Sequence, residues 1–288
     1  LAARGLWNDD LRLAPRSPRT GFADEPELSR HLLEGGAAAS DLRKLIDFLD
    51  TDKEPLAIWW LSRLGAAAAA VLLEALPTAE GRKRNSIALA LGMLRHEAAV
   101  PELARMVRGR TDGETKNPRH EPPWVSALVL LGRIGSAAVA DEVAGLLDAE
   151  RRNSKRLLYA LHYLIAVDDR LDPRLKSETA AAVRRLLADP ELGDDFTLHN
   201  SGDTLPAKYR SMKWGLELAA ACVLERLGHS GREILDKYAR DDRGFVREAS
   251  RRMTLRLSAE SVGKAQGGMS GDGPQGGMSG DGPQGGMS

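Results

Sequence analysis

Apolar residues recur along this chain at helical spacing, in paired runs separated by a tight turn. Four of these turns share a form: Ser62-Arg63-Leu64-Gly65, Gly92-Met93-Leu94-Arg95, Gly132-Arg133-Ile134-Gly135 and Glu225-Arg226-Leu227-Gly228. In each, a Leu or Ile can pack inward, and the glycine that ends three of them permits a helical hairpin to close. The segment after each turn also reads alike, as in Ala98-Ala99-Val100-Pro101-Glu102-Leu103 and Ala137-Ala138-Val139-Ala140-Asp141-Glu142-Val143. Helix pairs of this kind cannot bury their apolar faces alone, so the pattern predicts an all-α chain of stacked units, with its working surface on the outside.

The spacing predicts helix pairs over 55–64 with 66–76, 85–95 with 98–108, 124–134 with 137–149, 154–166 with 174–188, and 212–227 with 231–240. Val246 to Leu257 adds a final helix that caps the open end. Ahead of them, Asp24-Glu25-Pro26-Glu27 reads as a helix start in which Asp24 caps, Pro26 takes the first turn and Glu27 completes a capping box; Gly35-Gly36 ends that helix. Ser40-Asp41 then caps a second, whose Leu42, Leu45, Ile46 and Leu49 form one stripe.

The expected organisation is an extended arm over 1–23, the helical stack over 24–258, and a low-complexity tail over 259–288. The tail repeats Gly267-Gly268-Met269-Ser270-Gly271-Asp272-Gly273-Pro274-Gln275, similar to the calcium-binding nonapeptide of RTX β-rolls. Pro274 and Pro283 occupy the place where a roll needs a large apolar residue, so a disordered or engineered tail is expected. Leu56 to Leu76 is nearly apolar, yet Arg63 and Gly65 at its middle fit two core helices rather than a membrane span.

Composition narrows the partners. The 41 Lys and Arg balance 41 Asp and Glu, which disfavours nonspecific nucleic-acid binding, and aromatics at 5% suit closely spaced helices rather than a sheet. Cys222 is the only cysteine and sits in an apolar run, so no internal disulfide forms. That fits a reducing, cytoplasmic compartment without fixing it. The chain begins at Leu1 with no segment resembling a signal peptide, and the expectation is a processed or excised piece.

Over residues 40–258 the units resemble HEAT repeats, especially the short Ala- and Gly-rich kind of phycobilisome-lyase-like proteins. Asp241-Asp242-Arg243-Gly244-Phe245-Val246-Arg247-Glu248-Ala249 is similar to the family turn, in which an Asp and a following Val-Arg bond along a ladder between neighbouring repeats. Asn85-Ser86-Ile87 and Trp124-Val125-Ser126 lack the Val-Arg pair. The resemblance implies a right-handed α-solenoid of about five to six helix pairs. Trp59-Trp60-Leu61-Ser62-Arg63-Leu64-Gly65 and Leu130-Leu131-Gly132-Arg133-Ile134-Gly135 also resemble the helical C-terminal region of some bacterial FAD-dependent oxidoreductase-like proteins. No Gly-x-Gly-x-x-Gly segment follows a strand, so the chain would be a noncatalytic part of such an enzyme.

In a regular stack the turns joining one pair to the next share an edge. That edge would collect Arg82, Lys83, Arg84, Arg119, His120, Arg151, Arg152, Lys155, Lys208, Arg210 and Lys213, a setting for an anionic ligand near helix N-termini. Pairing with Glu80, Glu114, Glu121, Asp148 or Glu150 is the plainer use of those charges. Two long insertions, 109–123 and 189–211, add Lys116, Asn117, Arg119 and His120, and His199, Asn200, Asp203, Lys208 and Tyr209, as candidate partner-binding residues.

His120 or His199 beside Asp195 or Asp203 could serve as a general base, although nothing in the spacing fixes that geometry. The histidines form no His-x-x-x-His pair, so no metal site is expected; Asp172-Pro173 reads as a helix cap in preference to a cation site shared with Asp168 and Asp169. Trp59, Trp60, Trp124, Tyr159 and Trp214 lie on first helices, where core packing is expected over the lesion-holding role they would take in a HEAT-like DNA glycosylase. The reading that follows is a noncatalytic scaffold without a cofactor or catalytic residues, gripping a protein partner on its concave helices and loop edge. The alternatives are an accessory region of a flavin-dependent enzyme, and a HEAT-like lyase or glycosylase.

Overall fold

The structure, a computed structural model, describes residues 22, 24–109, 122–150, 153–195 and 211–267. Among them are thirteen α-helices and no β-strand. They are α1 Pro26–Glu34, α2 Ala39–Asp47, α3 Glu54–Arg63, α4 Gly65–Ala75, α5 Gly81–Met93, α6 Val100–Arg108 and α7 Pro123–Ile134. The rest are α8 Ala140–Ala149, α9 Ser154–Val167, α10 Pro173–Leu187, α11 Lys213–Arg226, α12 Arg232–Ala239 and α13 Gly244–Gly267. Short 3-10 turns over Phe48–Asp50, Glu97–Ala99 and Asp168–Arg170 link some of them. Residues 56–76 fall on two helices, as Arg63 and Gly65 implied, and no described helix is long and apolar enough to cross a membrane.

The four hairpin turns are equivalent in backbone as well as in sequence. Their last residues, Gly65, Arg95, Gly135 and Gly228, all take a left-handed φ, at 63°, 59°, 78° and 78°. A left-handed residue after a helix lets the chain reverse while its amide still reaches a carbonyl of the last turn; Gly135 donates to Leu131 and Gly132 in this way. Arg95 does the same to Gly92 without a glycine's freedom.

Two expected caps take a different form. Asp24 makes no cap for α1 and instead pairs with Lys53, while Glu25 occupies the cap position and pairs with Lys44. At α2 it is Asp41, inside the first turn, that reaches back to accept from the Ala38 amide at 2.9 Å. The competing partner in each case is a lysine or histidine from a neighbouring element, which a local pattern does not contain.

The helices pack in succession. α3, α5, α7, α9, α11 and α13 each lie against the next, and other helices pack beside them: α6 against α5 and α7, α10 against α8 and α11, α12 against α11 and α13. Composition sorts the two sets. α7, Pro-Trp-Val-Ser-Ala-Leu-Val-Leu-Leu-Gly-Arg-Ile, is apolar on every side, and each residue from Trp124 to Gly132 is buried. A helix without a polar face has nowhere to lie but between others. α6, by contrast, buries Leu103, Met106 and Val107 and leaves Arg105 and Arg108 in solvent. The main core runs from Phe22 to Leu224; a second cluster around Leu218, Cys222, Leu235, Tyr238 and Val246 holds the last three helices together.

Candidate functional site

The basic residues at the start of α5 are already engaged. Arg82 donates through Nε to Glu54 at 2.7 Å, and Ser86 donates its hydroxyl to the same carboxylate at the head of α3. Lys83 lies 3.1 Å from Asp47 at the end of α2. Arg84 pairs with Glu102 of α6, which also accepts from Arg105 at 2.8 Å. Glu102 is buried, and its carboxyl is held below the usual range chiefly by the Arg84 hydrogen bond, against the opposing effect of burial. Three consecutive cations thus bind three neighbouring elements to α5.

Farther along, Lys213 donates to the carbonyl of Pro190 at 3.1 Å, and Lys155 lies half-buried in the first turn of α9. The remaining candidates, Lys116, Asn117, Arg119, His120, Arg151, Arg152, His199, Asn200, Asp203, Lys208, Tyr209 and Arg210, lie outside the described residues. So do most of both long insertions and the Gly-rich tail.

Asp195 serves α9, and His120 and His199 lie outside the described residues. It accepts from the Ser154 amide at 2.9 Å and from the Ser154 hydroxyl, while Asn153 accepts from the Arg156 amide at 3.2 Å. Two side chains, one from 41 residues away, satisfy amides that the helix itself leaves open. Asp172 caps α10 as expected, accepting from Leu175 at 2.8 Å, and the buried Asp168 pairs with Arg226 at 2.7 Å. Among the described residues no three of His, Cys, Asp and Glu gather as metal ligands do.

No family model matches the chain, and no curated protein or solved structure does either. What the chain can do therefore rests on its own geometry.

Several cross-links could not be found by local spacing. Arg108 at the end of α6 donates to Glu142 and to the carbonyl of Ala138, both at 2.6 Å; Arg185 of α10 reaches Asp148 of α8 at 2.7 Å. Tyr163 sends its hydroxyl back 27 residues to the carbonyl of Ser136 at 2.8 Å. The Asp241 turn closes on itself: its carboxylate takes Arg243 at 2.8 Å and is held far below the usual range by that pair, and Arg247 donates to the Asp241 and Asp242 carbonyls. These bonds lie within the turn, whereas the likeness to HEAT repeats implied a ladder between repeats.

The first-helix aromatics are packing groups. Trp60, Trp124 and Tyr159 are buried, the Arg156 guanidinium lies 5.3 Å from the Trp124 ring, and Arg63 lies 5.0 Å from the half-buried Trp59 ring. His162 is buried in α9, and desolvation holds its imidazole down to about 4. None of these rings forms an open platform for bases.

Proposed function

We propose that the chain is a HEAT-like α-solenoid that works as a noncatalytic interaction module for a protein partner. The observation that carries this reading is the unbroken succession α3, α5, α7, α9, α11, α13, each against the next, with ion pairs such as Arg108–Glu142 and Arg185–Asp148 joining their companions. Stacking of repeated pairs leaves long exposed edges in place of one enclosed centre, and such edges suit extended protein contacts. Because α7 is buried all round over Trp124–Gly132, its side chains are closed to a partner, and Arg82, Lys83 and Arg84 are committed to their carboxylates. The contact then falls to the two insertions, 109–123 and 189–211, which add polar groups without interrupting the helices on either side.

The test is co-purification with the full chain as bait, repeated with 110–121 or 196–210 replaced by a short Gly-Ser link. Loss of a partner on shortening either loop, with helical circular dichroism retained, supports the module. Capture that is unaffected by both replacements overturns the loop assignment.

A further inference from the structure

Among the described residues Arg95 is the one non-glycine with a left-handed φ, and it carries a second unfavourable feature. Burial, and then the charge of Arg95, lowers the proton affinity of the half-buried Arg133, so the two guanidiniums repel each other. Backbone strain and like-charge repulsion at one residue both oppose folding, and such conflicts collect where a surface has work to do. The helix C-termini on this edge favour cations through their dipoles, but that effect needs only a cation on the last turn and no strained backbone.

The turn of Arg95 has neighbours of the same sign. α5, α7 and α9 lie side by side and end together: a Cβ on Gly92 would stand 3.0 Å from Leu130 of α7, and one on Gly132 3.5 Å from Ala166 of α9. Their turns therefore succeed one another along one edge. The Arg170 guanidinium, in the turn after α9, lies 3.5 Å from the place of a Cβ on Gly135, against the turn that carries Arg133. Arg95 and Arg170 are exposed, and among the described residues neither makes an ion pair; Glu97 and Asp169, the exposed acids of the same turns, pair with neither. The arginines of the outer turns are committed, Arg63 over the Trp59 ring and Arg226 to Asp168.

We infer that the row Arg95, Arg133 and Arg170 binds an extended acidic segment of a protein partner. Packed helices lie about 8–10 Å apart, so cations on successive turns are separated by about that distance. An extended chain covers it in about three residues, so carboxylates at every third position reach successive turns. A guanidinium takes a carboxylate through parallel N–H donors, and a negative charge between Arg95 and Arg133 relieves their repulsion. A chain with 41 charges of each sign lacks the broad positive field that holds a nucleic acid, which favours a short acidic peptide over a polynucleotide. The 109–123 insertion joins α7 at Pro123, the helix end opposite this row, so the contact is separate from that of the insertions.

The test is fluorescence anisotropy of a labelled peptide of Asp-Ser-Ala repeats titrated with the full chain at low salt. Binding should saturate, weaken as salt is added, and vanish for a peptide of Asn-Ser-Ala repeats. Arg95→Gly and Arg170→Gln should each weaken it about tenfold, the scale of one charged hydrogen bond. Arg95→Gly relieves the strained backbone, so its lost binding is not lost fold; its urea midpoint, measured alongside, should not fall. Arg30→Gln with Arg43→Gln, which removes two exposed cations elsewhere, should leave the affinity unchanged, as should the replacements of 110–121 and 196–210. Absence of saturable binding, an equal loss in the Arg30 and Arg43 chain or in the loop replacements, or tighter binding of a single-stranded oligonucleotide of equal charge overturns the inference.

Discussion

Arg95 occupies the left-handed backbone position, at φ 59°, that Gly135 occupies in the next hairpin, at φ 78°. An L-residue with a side chain pays about 1–2 kcal/mol there, because its Cβ crowds the following carbonyl. Arg133, whose proton affinity is lowered by burial and then by the charge of Arg95, shows that the arginine brings like-charge repulsion as well. Arg95→Gly should therefore stabilise the chain by about 0.5–1 kcal/mol, after the extra unfolded-state freedom of glycine is set against the relief. A higher urea midpoint would show it; a lower one would mean that the Arg95 side chain contributes contacts outweighing its strain.

Two other glycines should respond in opposite directions to the same change. A Cβ on Gly231 would stand 2.3 Å from the Ala221 carbonyl oxygen, a backbone atom that cannot turn aside, so α12 must move off α11. Gly145 lies exposed in α8 with nothing within 4 Å of such a Cβ. Gly231→Ala should cost about 3 kcal/mol through overpacking. Gly145→Ala should gain about 0.5–1 kcal/mol through helix propensity. Denaturant unfolding of the two variants side by side distinguishes a packing contact from simple chain entropy.

His162 predicts how stability depends on pH near neutrality. Burial pushes its folded imidazole down to about 4 from the usual 6.5, so between those values the unfolded chain binds a proton that the folded one refuses. Stability is then complete above 6.5 and falls as pH drops toward 4, by about 3 kcal/mol from this group. Midpoints measured between pH 7 and pH 5 should fall for the wild-type chain and flatten in His162→Gln. An equal slope in both would assign the effect elsewhere.

Glu102 acts in a more acidic window. Its carboxyl is lowered from 4.5 by Arg84 and Arg105, so its stabilisation is present above that value and is lost as pH falls through the lower folded one. Glu102→Gln should cost about 2 kcal/mol at neutral pH, the scale of a charged hydrogen bond. The gap from wild type should narrow as acid protonates the carboxylate. The same network bears on charge reversal at Arg82, Lys83 and Arg84: each reversal places a carboxylate against Glu54, Asp47 or Glu102, so lost binding in such a variant must be read together with its stability.

How much of this was legible in the sequence varied with the range of the interaction involved. Apolar spacing and turn glycines located each helix pair, because helix formation and hairpin closure depend on residues within one or two turns. The turn alignment also puts Arg95 in register with three glycines, and all four share a left-handed φ. The Asp172 cap is equally local, while Asp24 is drawn from its expected cap by Lys53, 29 residues away, and Asp195 bonds Ser154 across 41 residues.

The sequence by itself determined that this chain is helical, where its hairpins turn, and that its first helices are too apolar to face water. Only the tertiary structure decided which charges are spent, since Arg82 with Glu54, Arg84 with Glu102 and Arg108 with Glu142 meet across separations of 28, 18 and 34 residues. It also decided that, among the described residues, Leu33, Phe245 and Leu255 are the large apolar side chains left exposed. A helix knows its own faces from its sequence, but which face is covered depends on the neighbour that the fold brings against it.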